Sequence, residues 1–160
     1  MTTPASTHGL RFDSPEQEAF LNLWRTYDRL RALEDELFSR FDLTPQQYNV
    51  LRLLRAKHPA PVPTLTVAES LVSRAPDITR MIDKLELRGL IARTRTPEDR
   101  RAVLVGITAA GARLLDEMAA PLRDCHRRQL GHLSRGDLKK LVELLAVVRE
   151  PHEDDDSPWK

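Results

Sequence analysis

The sequence predicts a mostly α-helical single domain that contains one short β-hairpin. Three observations support this class: helix start signals recur along the chain, apolar residues between them repeat every three or four positions, and two runs near residue 100 favour strands. The chain has 160 residues, of which 41% are hydrophobic and 5% aromatic. This length predicts one domain with a buried core and excludes two independently cored enzyme domains.

Two helix start signals of the same kind open the predicted fold. Ser14, Pro15 and Gln17 occupy the positions preferred for an N-cap, the first helical residue and the third helical residue. The same arrangement recurs at residues 44–47, and the helix that starts there ends where prolines follow. The first helix carries a mostly apolar stripe through about six turns. The stripe consists of Phe20, Leu23, Trp24, Tyr27, Leu30, Glu34, Leu37 and Phe41.

A pair of shorter helices is predicted after these prolines. The first lies around residues 67–71, and residues 73–77 form a start signal for a second helix that Gly89 ends. This second helix has one apolar face and one polar, partly cationic face. The apolar face holds Ile78, Met81, Ile82 and Leu85, and the polar face holds Asp77, Thr79, Arg80, Asp83 and Lys84.

The hairpin is predicted from residues 91–96 and 102–107, two β-compatible runs joined by a turn that contains proline and arginine. A helix, a turn, a helix and then a hairpin with a basic tip form the layout of a winged helix. Such a domain places its second helix in the major groove of DNA and its hairpin near a minor groove. Thr79 and Arg80 then lie where side chains contact base edges.

The arginines of the hairpin also suit DNA. A flexible arginine can enter a narrow minor groove, where negative potential is focused, and an adjacent carboxylate can hold its guanidinium outward. Arg101 and Asp99 have this relationship in the sequence. Arg93, Arg95 and Arg100 are predicted to contact phosphates.

Two long helices are predicted after the hairpin. Thr108 caps the first, which continues to Leu130 with a kink at Pro121, and Ser134 caps the second, which Pro151 ends. Together with the first helix of the chain, they carry more apolar surface than the small middle lobe can cover. A partner chain is the economical explanation of this excess apolar surface.

Three separated segments carry a family resemblance. They are residues 43–51, which read LTPQQYNVL, residues 77–91, which contain DITRMIDKLE and GLI, and residues 99–108, which begin with DRR and end with IT. In this order and spacing the segments resemble the MarR family of bacterial transcription regulators, and the match covers about residues 14–149.

The resemblance implies a homodimer whose first and last helices interlock with those of a second copy and which presents two winged helices to a pseudo-palindromic operator. The family typically represses promoters, and many members release DNA when a small, often aromatic and anionic effector binds between the dimer helices and the DNA-binding lobe. The partners expected are double-stranded DNA, a second copy and such an effector. The DNA contacts that the resemblance implies are Thr79 and Arg80 at base edges, Arg101 in the minor groove with Asp99 as its support, and Ser73 and Lys84 at phosphates.

The predicted boundaries divide the chain into an arm, a domain and a tail. Residues 1–13 are expected to be a disordered arm, residues 14–150 a single domain, and residues 151–160 an acidic flexible tail. Within the domain, residues 44–108 form a DNA-binding lobe, and residues 14–42 and 108–150 form dimerisation helices. The net charge of +1 averages over a basic segment at residues 88–101 and an acidic segment at residues 153–156.

Composition also predicts the compartment. The chain has no apolar run of the roughly 20 residues that a membrane helix needs, so no membrane partner is expected. Its first residues lack the pattern of a secretory signal, and its single cysteine suits a reducing compartment. A cytoplasmic location is therefore expected.

Trp24, Arg25 and Tyr48 are candidates for a ligand cleft, because they supply an aromatic wall and a cation for a carboxylate. The alternative for Trp24 and Tyr48 is packing in the core or at the dimer interface. Cys125 lies on an apolar stripe and is predicted to be a buried small hydrophobe, with redox sensing as the alternative.

Neither a metal, a cofactor nor a catalytic site is predicted. His126 and His132 match no familiar zinc spacing, and the arginines between them would repel a cation. The sequence contains no glycine-rich phosphate loop and no recognisable nucleophile motif, so an enzyme is not expected. Two alternative functions stay open: a redox- or metal-responsive regulator, and a ligand- or protein-binding dimer without operator recognition.

Overall fold

The computed structural model of the chain describes residues 10–73, 77–96, 98–99 and 101–160. It confirms the mostly α-helical fold with a small antiparallel sheet. Residues 1–9 of the predicted arm, residues 74–76 of the predicted start signal, Pro97 of the hairpin turn and Arg100 lie outside the described residues. In chain order the elements are α1 (Pro15–Arg40), α2 (Pro45–Lys57), β1 (Val62–Pro63), α3 (Thr64–Ser70), α4 (Ile78–Leu87), β2 (Ile91–Arg95), β3 (Val103–Ile107), α5 (Ala109–Leu130), α6 (Arg135–Arg149) and a short 3-10 turn (Glu150–His152).

The predicted caps are confirmed. Ser14 Oγ accepts a hydrogen bond from the Gln17 backbone N–H at 3.0 Å, so α1 begins where the sequence indicates. At the start of α2, Thr44 Oγ1 accepts from the Gln47 N–H at 3.1 Å, and Gln47 Oε1 accepts from the Thr44 N–H at 3.0 Å. This reciprocal pair satisfies backbone groups that helix geometry leaves without partners. Thr108 and Ser134 cap α5 and α6 as predicted.

The sheet has one strand more than the predicted two-stranded wing. Its strand order is β1-β3-β2, with Ile91 opposite Ile107 at one end of the β2–β3 pair and Val62 opposite Val105 in the β1–β3 pair. The two-residue β1 is too short to show an alternating pattern, and Pro63 in it lacks a backbone N–H. Because an edge strand tolerates proline, β1 can pair with β3 although the sequence carries no strand pattern at these residues.

The hydrophobic core lies between α2, α3, α4, the sheet and the first half of α5. By contrast, α1 buries only Leu37 and Phe38, and α6, which the structure describes in full, buries no residue. The terminal helices therefore carry little of the core of a single chain. The side chains that are almost completely buried are Val50, Leu51, Leu54, Val67, Ile82, Leu85, Ile91, Val105 and Met118.

The start of α5 is fixed against the turn between α4 and β2. Thr108 Oγ1 donates to the Gly89 carbonyl at 2.6 Å and accepts from the Gly111 N–H at 3.1 Å. Gly89 has a φ of +70°, a conformation that favours glycine, and it ends α4 as predicted. A Cβ on Gly111 would lie 2.3 Å from the Leu90 carbonyl oxygen, so only glycine allows this close approach.

Two expectations about the second half of the molecule stay predictions. Pro121 lies inside α5, as predicted, but the kink expected there is not tested. The expected flexibility of the acidic tail is not tested either, although the tail has defined contacts. Arg149 Nε lies 3.2 Å from Glu153 Oε1, and its guanidinium lies 5.6 Å from the centre of the Trp159 ring.

Candidate nucleic-acid interface

The two faces predicted for α4 are confirmed. Ile82 and Leu85 are fully buried, and Ile78 and Met81 are half-buried against the core. On the opposite side the predicted polar residues are exposed. Because a short helix with one polar, exposed face fits the major groove, α4 has the form of a recognition helix. The exposed residues of this face are Asp77, Thr79, Arg80, Asp83 and Lys84.

Arg80 is free to contact a base. Its Nη1 lies 3.8 Å from Asp77 Oδ2, and the two side chains are 71% and 72% exposed. An ion pair this long and this exposed contributes little stability, so it does not hold the guanidinium away from DNA. Thr79, its neighbour, is also exposed. The two predicted base-reading residues therefore lie together near the N-terminal end of α4.

The tip of the hairpin is held by its own hydrogen bonds. Asp99 Oδ1 accepts from the backbone N–H of Arg101 at 2.9 Å. The Thr96 hydroxyl accepts from the Asp99 N–H at 3.3 Å and lies 3.2 Å from the Asp99 carbonyl oxygen. The predicted contact between the Asp99 carboxylate and the Arg101 guanidinium is corrected by this geometry. The carboxylate fixes the backbone, and the guanidinium has no ion-pair partner among the described residues.

Arg93 does not point outward, as a phosphate contact would require. Its side chain is only 27% exposed and turns towards α4. Its Nη2 donates to Asp83 Oδ1, and its Nη1 donates to Glu86 Oε1 at 3.0 Å. The hydrogen bond to Asp83 raises the pKa of Arg93, with a smaller contribution from Glu86, while burial opposes the rise. In this structure Arg93 joins β2 to α4, and its predicted phosphate contact stays a prediction.

The remaining predicted phosphate contacts are exposed where the structure describes them. Ser73, Lys84 and Arg95 are on the surface, and the two cations form no ion pair with any described residue. Ser73 directly precedes an undescribed segment, and Arg100 lies outside the described residues. Lys84, Arg95 and Arg101 thus supply positive charge on α4 and at both ends of the hairpin turn.

Sequence reasoning missed the role of Arg88. Its guanidinium donates to the carbonyl oxygens of Asp42 and Phe41, just beyond the C-terminal end of α1. Asp42 has a φ of +51° there, in the left-handed region. The contact joins the end of α4 to the end of α1, 46 residues away in sequence. Such a long separation leaves no local pattern from which the contact could be predicted.

The predicted ligand residues do not come together in one chain. The Trp24 ring lies 6.3 Å from the Phe20 ring, whereas the Tyr48 ring lies 5.3 Å from the Phe38 ring. Trp24 and Phe38 are separated by roughly 20 Å along the axis of α1. Arg25 is exposed beside Trp24.

Cys125 is buried, as predicted. Burial raises the pKa of its thiol, and the nearby negative charge of Glu34 adds to the rise. A raised pKa keeps the thiol protonated, which does not favour the alternative of redox sensing. Cys125 lines a cleft of about 360 Å³ between α1 and α5.

The described residues contain no cluster of three or more histidine, cysteine or acidic side chains placed to hold a metal ion. His126 Nδ1 instead lies 2.9 Å from Oε1 of the buried Gln129, which donates to the Leu30 carbonyl. None of the helices in the described ranges combines the length and the apolar character that a membrane span needs.

A recognition helix with an exposed polar face, followed by a hairpin with a basic tip, defines a winged helix-turn-helix DNA-binding protein. The sequence profile of the MarR family matches residues 43–103, which span α2, α3, α4 and β2 and end at the first residue of β3. The chain belongs to the MarR family, and it is a DNA-binding transcription regulator rather than an enzyme.

Three similar proteins illustrate the relationship. The HTH-type transcriptional repressor NicR of Pseudomonas putida is 30% identical over 157 residues, which cover 95% of this chain and 96% of NicR. A MarR transcription factor from Planctomyces limnophilus is 55% identical, with a TM-score of 0.68 over 86% of this chain and 99% of that one. Bordetella bronchiseptica BpsR, whose structure concerns regulation of DNA binding by 6-hydroxynicotinic acid, is 26% identical, with a TM-score of 0.72 over 85% and 99% of the two chains.

Proposed function

We propose that this protein is a homodimeric repressor that binds a pseudo-palindromic operator and releases it when a small aromatic acid binds. The observation that carries the proposal is the exposed face of α4, where Thr79, Arg80 and Lys84 point away from the core. This face precedes a wing whose tip bears Arg101, which forms no ion pair with the described residues. Together they form the two parts that a winged helix uses on DNA.

The terminal helices support the dimer. On α1, Trp24 and Tyr27 are 62% and 61% exposed, and on α6 Leu144 and Val147 are 64% and 65% exposed. A monomer rarely leaves so many large apolar side chains in water along two helices. A second copy would cover them and place two recognition helices about one turn of DNA apart, which is the spacing of operator half-sites.

Each DNA contact has a distinct proposed role. Thr79 and Arg80 read base edges in the major groove, because arginine donates two hydrogen bonds to guanine and threonine contacts a base or a thymine methyl. Arg101 enters the minor groove, and Asp99 holds the backbone from which it projects. The proposed phosphate contacts are Ser73, Lys84, Arg95 and, from the sequence alone, Arg100.

The ligand proposal rests on relatives and on the dimer. BpsR is regulated by an aromatic acid, and NicR is a repressor that aligns with almost the whole chain. Tyr48 lies too far from Trp24 and Arg25 in one chain to share a small molecule with them. A site that uses all three therefore forms across the dimer, with Arg25 binding the carboxylate and the aromatic rings covering its body.

The test is a gel shift with DNA from upstream of the protein's own gene, in excess competitor DNA and near physiological salt. We expect a discrete complex at nanomolar protein. Arg101→Ala should lower the salt slope by about one unit, and Arg80→Ala should cost roughly 1–3 kcal/mol and relax base preference. Arg127→Ala on α5 is the matched control. Wild-type affinity in both Arg80→Ala and Arg101→Ala would contradict the assigned contacts.

The effector is tested on the same complex. We expect 6-hydroxynicotinic acid or a related aromatic acid to dissociate the wild-type complex, and Arg25→Ala to bind DNA normally but resist release. Release of Arg25→Ala that is unchanged from the wild type would show that the carboxylate of the ligand binds elsewhere.

A further inference from the structure

Arg93 holds two carboxylates of the recognition helix at once. Its guanidinium donates to Asp83 through Nη2 and to Glu86 through Nη1. Its backbone N–H also donates to the second oxygen of the same Glu86 carboxylate, at 3.0 Å. Because β2 is an edge strand of the sheet, this last bond satisfies an N–H that no neighbouring strand reaches. The first strand of the wing is thus joined to α4 by both side chain and backbone.

The position of Asp83 gives this contact a consequence for DNA binding. Asp83 lies on the exposed face of α4, one helical turn after the proposed base-reading residues Thr79 and Arg80. A free carboxylate at this position would repel the phosphates of bound DNA. Among the described residues, Arg93 is the cation that pairs with Asp83. The pair removes a negative charge from the face that meets DNA.

We propose that Arg93 is a positioning residue for operator recognition: it fixes the wing against the recognition helix and neutralises Asp83, without binding phosphate itself. The inference rests on the proposed operator-binding function. In this role the three hydrogen bonds fix the position of the wing relative to α4. This position determines whether the wing tip can enter the minor groove while α4 lies in the major groove.

Arg95 is a matched control within the same strand. Residues 93 and 95 point to the same side of β2, because side chains alternate along a strand. Arg95 is exposed and forms no ion pair with the described residues, whereas Arg93 is 27% exposed and has two carboxylate partners. The strand β2 thus carries two arginines two positions apart, and only Arg93 pairs with carboxylates of α4.

The experiment measures dissociation constants for operator and random-sequence DNA at several salt concentrations, with the full-length protein. For Arg93→Ala we expect about a tenfold loss on the operator and a much smaller loss on random DNA, because the geometry of the wing is disturbed while the phosphate contacts stay. Arg93→Lys should lose nearly as much, since one ammonium cannot replace a guanidinium that bridges two carboxylates. Adding Asp83→Asn to Arg93→Ala should restore part of the operator affinity.

The control variants should behave differently. Arg95→Ala should weaken binding to both DNAs by the same factor and reduce the salt slope by about one unit, and Arg95→Lys should bind like the wild type. If Arg93→Ala follows this pattern, and Arg93→Lys restores binding, Arg93 is a phosphate contact and the proposal is wrong.

A second measurement needs no DNA. A double-mutant cycle of Arg93→Ala and Asp83→Asn in thermal unfolding should be non-additive, because the two side chains share one interaction. Additive shifts in Tm would show that Arg93 and Asp83 do not interact and would contradict the proposal. If the wild-type protein forms no specific complex with any operator, the proposed function fails. The double-mutant cycle still decides whether Arg93 and Asp83 interact.

Discussion

The winged-helix lobe and the terminal helices of this chain bury their apolar residues to very different extents. In the lobe, Val50, Leu51, Ile82 and Leu85 have no exposed surface at all. Along α6, most large apolar residues are exposed in the single chain and none is buried, and the first half of α1 is similarly exposed. The lobe thus buries its apolar residues against one another, whereas the exposed apolar residues of α1 and α6 are the surface that the proposed dimer would cover.

The first way to test this comparison is to remove one side chain from each region. Leu51→Ala should lower the free energy of unfolding by roughly 2–5 kcal/mol, because it leaves a cavity in a fully packed core. The measurement is urea denaturation of the variant and the wild type. Leu144→Ala, at a position 64% exposed in the single chain, is the control.

Leu144→Ala should act through association instead. We expect it to raise the fraction of monomer in analytical ultracentrifugation and to make the loss of stability depend on protein concentration. A loss as large as that of Leu51→Ala in a protein that stays monomeric would break the comparison.

The same contrast explains what can be predicted from the sequence. The helices are predictable because their signals are local: the Thr44–Gln47 capping box and the glycine after α4 lie within a few residues of the helix ends they define. The exposed face of α4 also follows from periodicity within one helix. Confirmed predictions of this kind need no knowledge of what lies across the fold.

The contacts that the sequence does not predict depend on residues distant in sequence. A basic hairpin indicates DNA and so predicts a phosphate contact for Arg93, but the carboxylate partners of Arg93 lie on α4. The strand β1 forms only because β3, some 40 residues later, offers an edge. The proposed ligand residues Trp24 and Tyr48 belong to consecutive helices, but the length of α1 separates them in space.

The close contact between Gly111, at the start of α5, and the Leu90 carbonyl provides a test with a smaller expected effect. Gly111→Ala should cost roughly 1–3 kcal/mol, because the new Cβ would lie 2.3 Å from a backbone carbonyl that has to move. Gly136→Ala, in the first turn of α6, is the matched control. Its Cβ would meet only the Ser134 hydroxyl, at 3.8 Å, so the change should be neutral or slightly stabilising.

Both glycine variants are compared by urea denaturation and by operator binding. Since the Gly111 contact fixes α5 against the end of α4, we expect Gly111→Ala to weaken operator binding as well, while Gly136→Ala leaves it unchanged. Equal stability of the two variants would show that the lobe tolerates movement against the terminal helices.

The smallest expected effect concerns Cys125, the buried residue where α5 packs on α1. Burial and the charge of Glu34 raise the pKa of this thiol in the folded protein, so the unfolded chain ionises it first as pH rises. The contribution of the thiol to the free energy of unfolding is therefore complete below its pKa in the unfolded chain, about 8.5. It is lost as pH rises through the pKa of the thiol in the folded protein. The slope from one thiol is at most about 1.4 kcal/mol per pH unit.

Cys125→Ala isolates this contribution, because every other titrating group is common to both proteins. We expect the wild-type free energy of unfolding to fall more steeply than that of the variant as pH rises above about 8.5 in urea denaturation. A thiol that ionised readily in the folded state would give parallel curves and rapid alkylation by iodoacetamide at neutral pH. That result would place α5 and α1 among the loosely packed parts of the chain and would reopen redox sensing at Cys125.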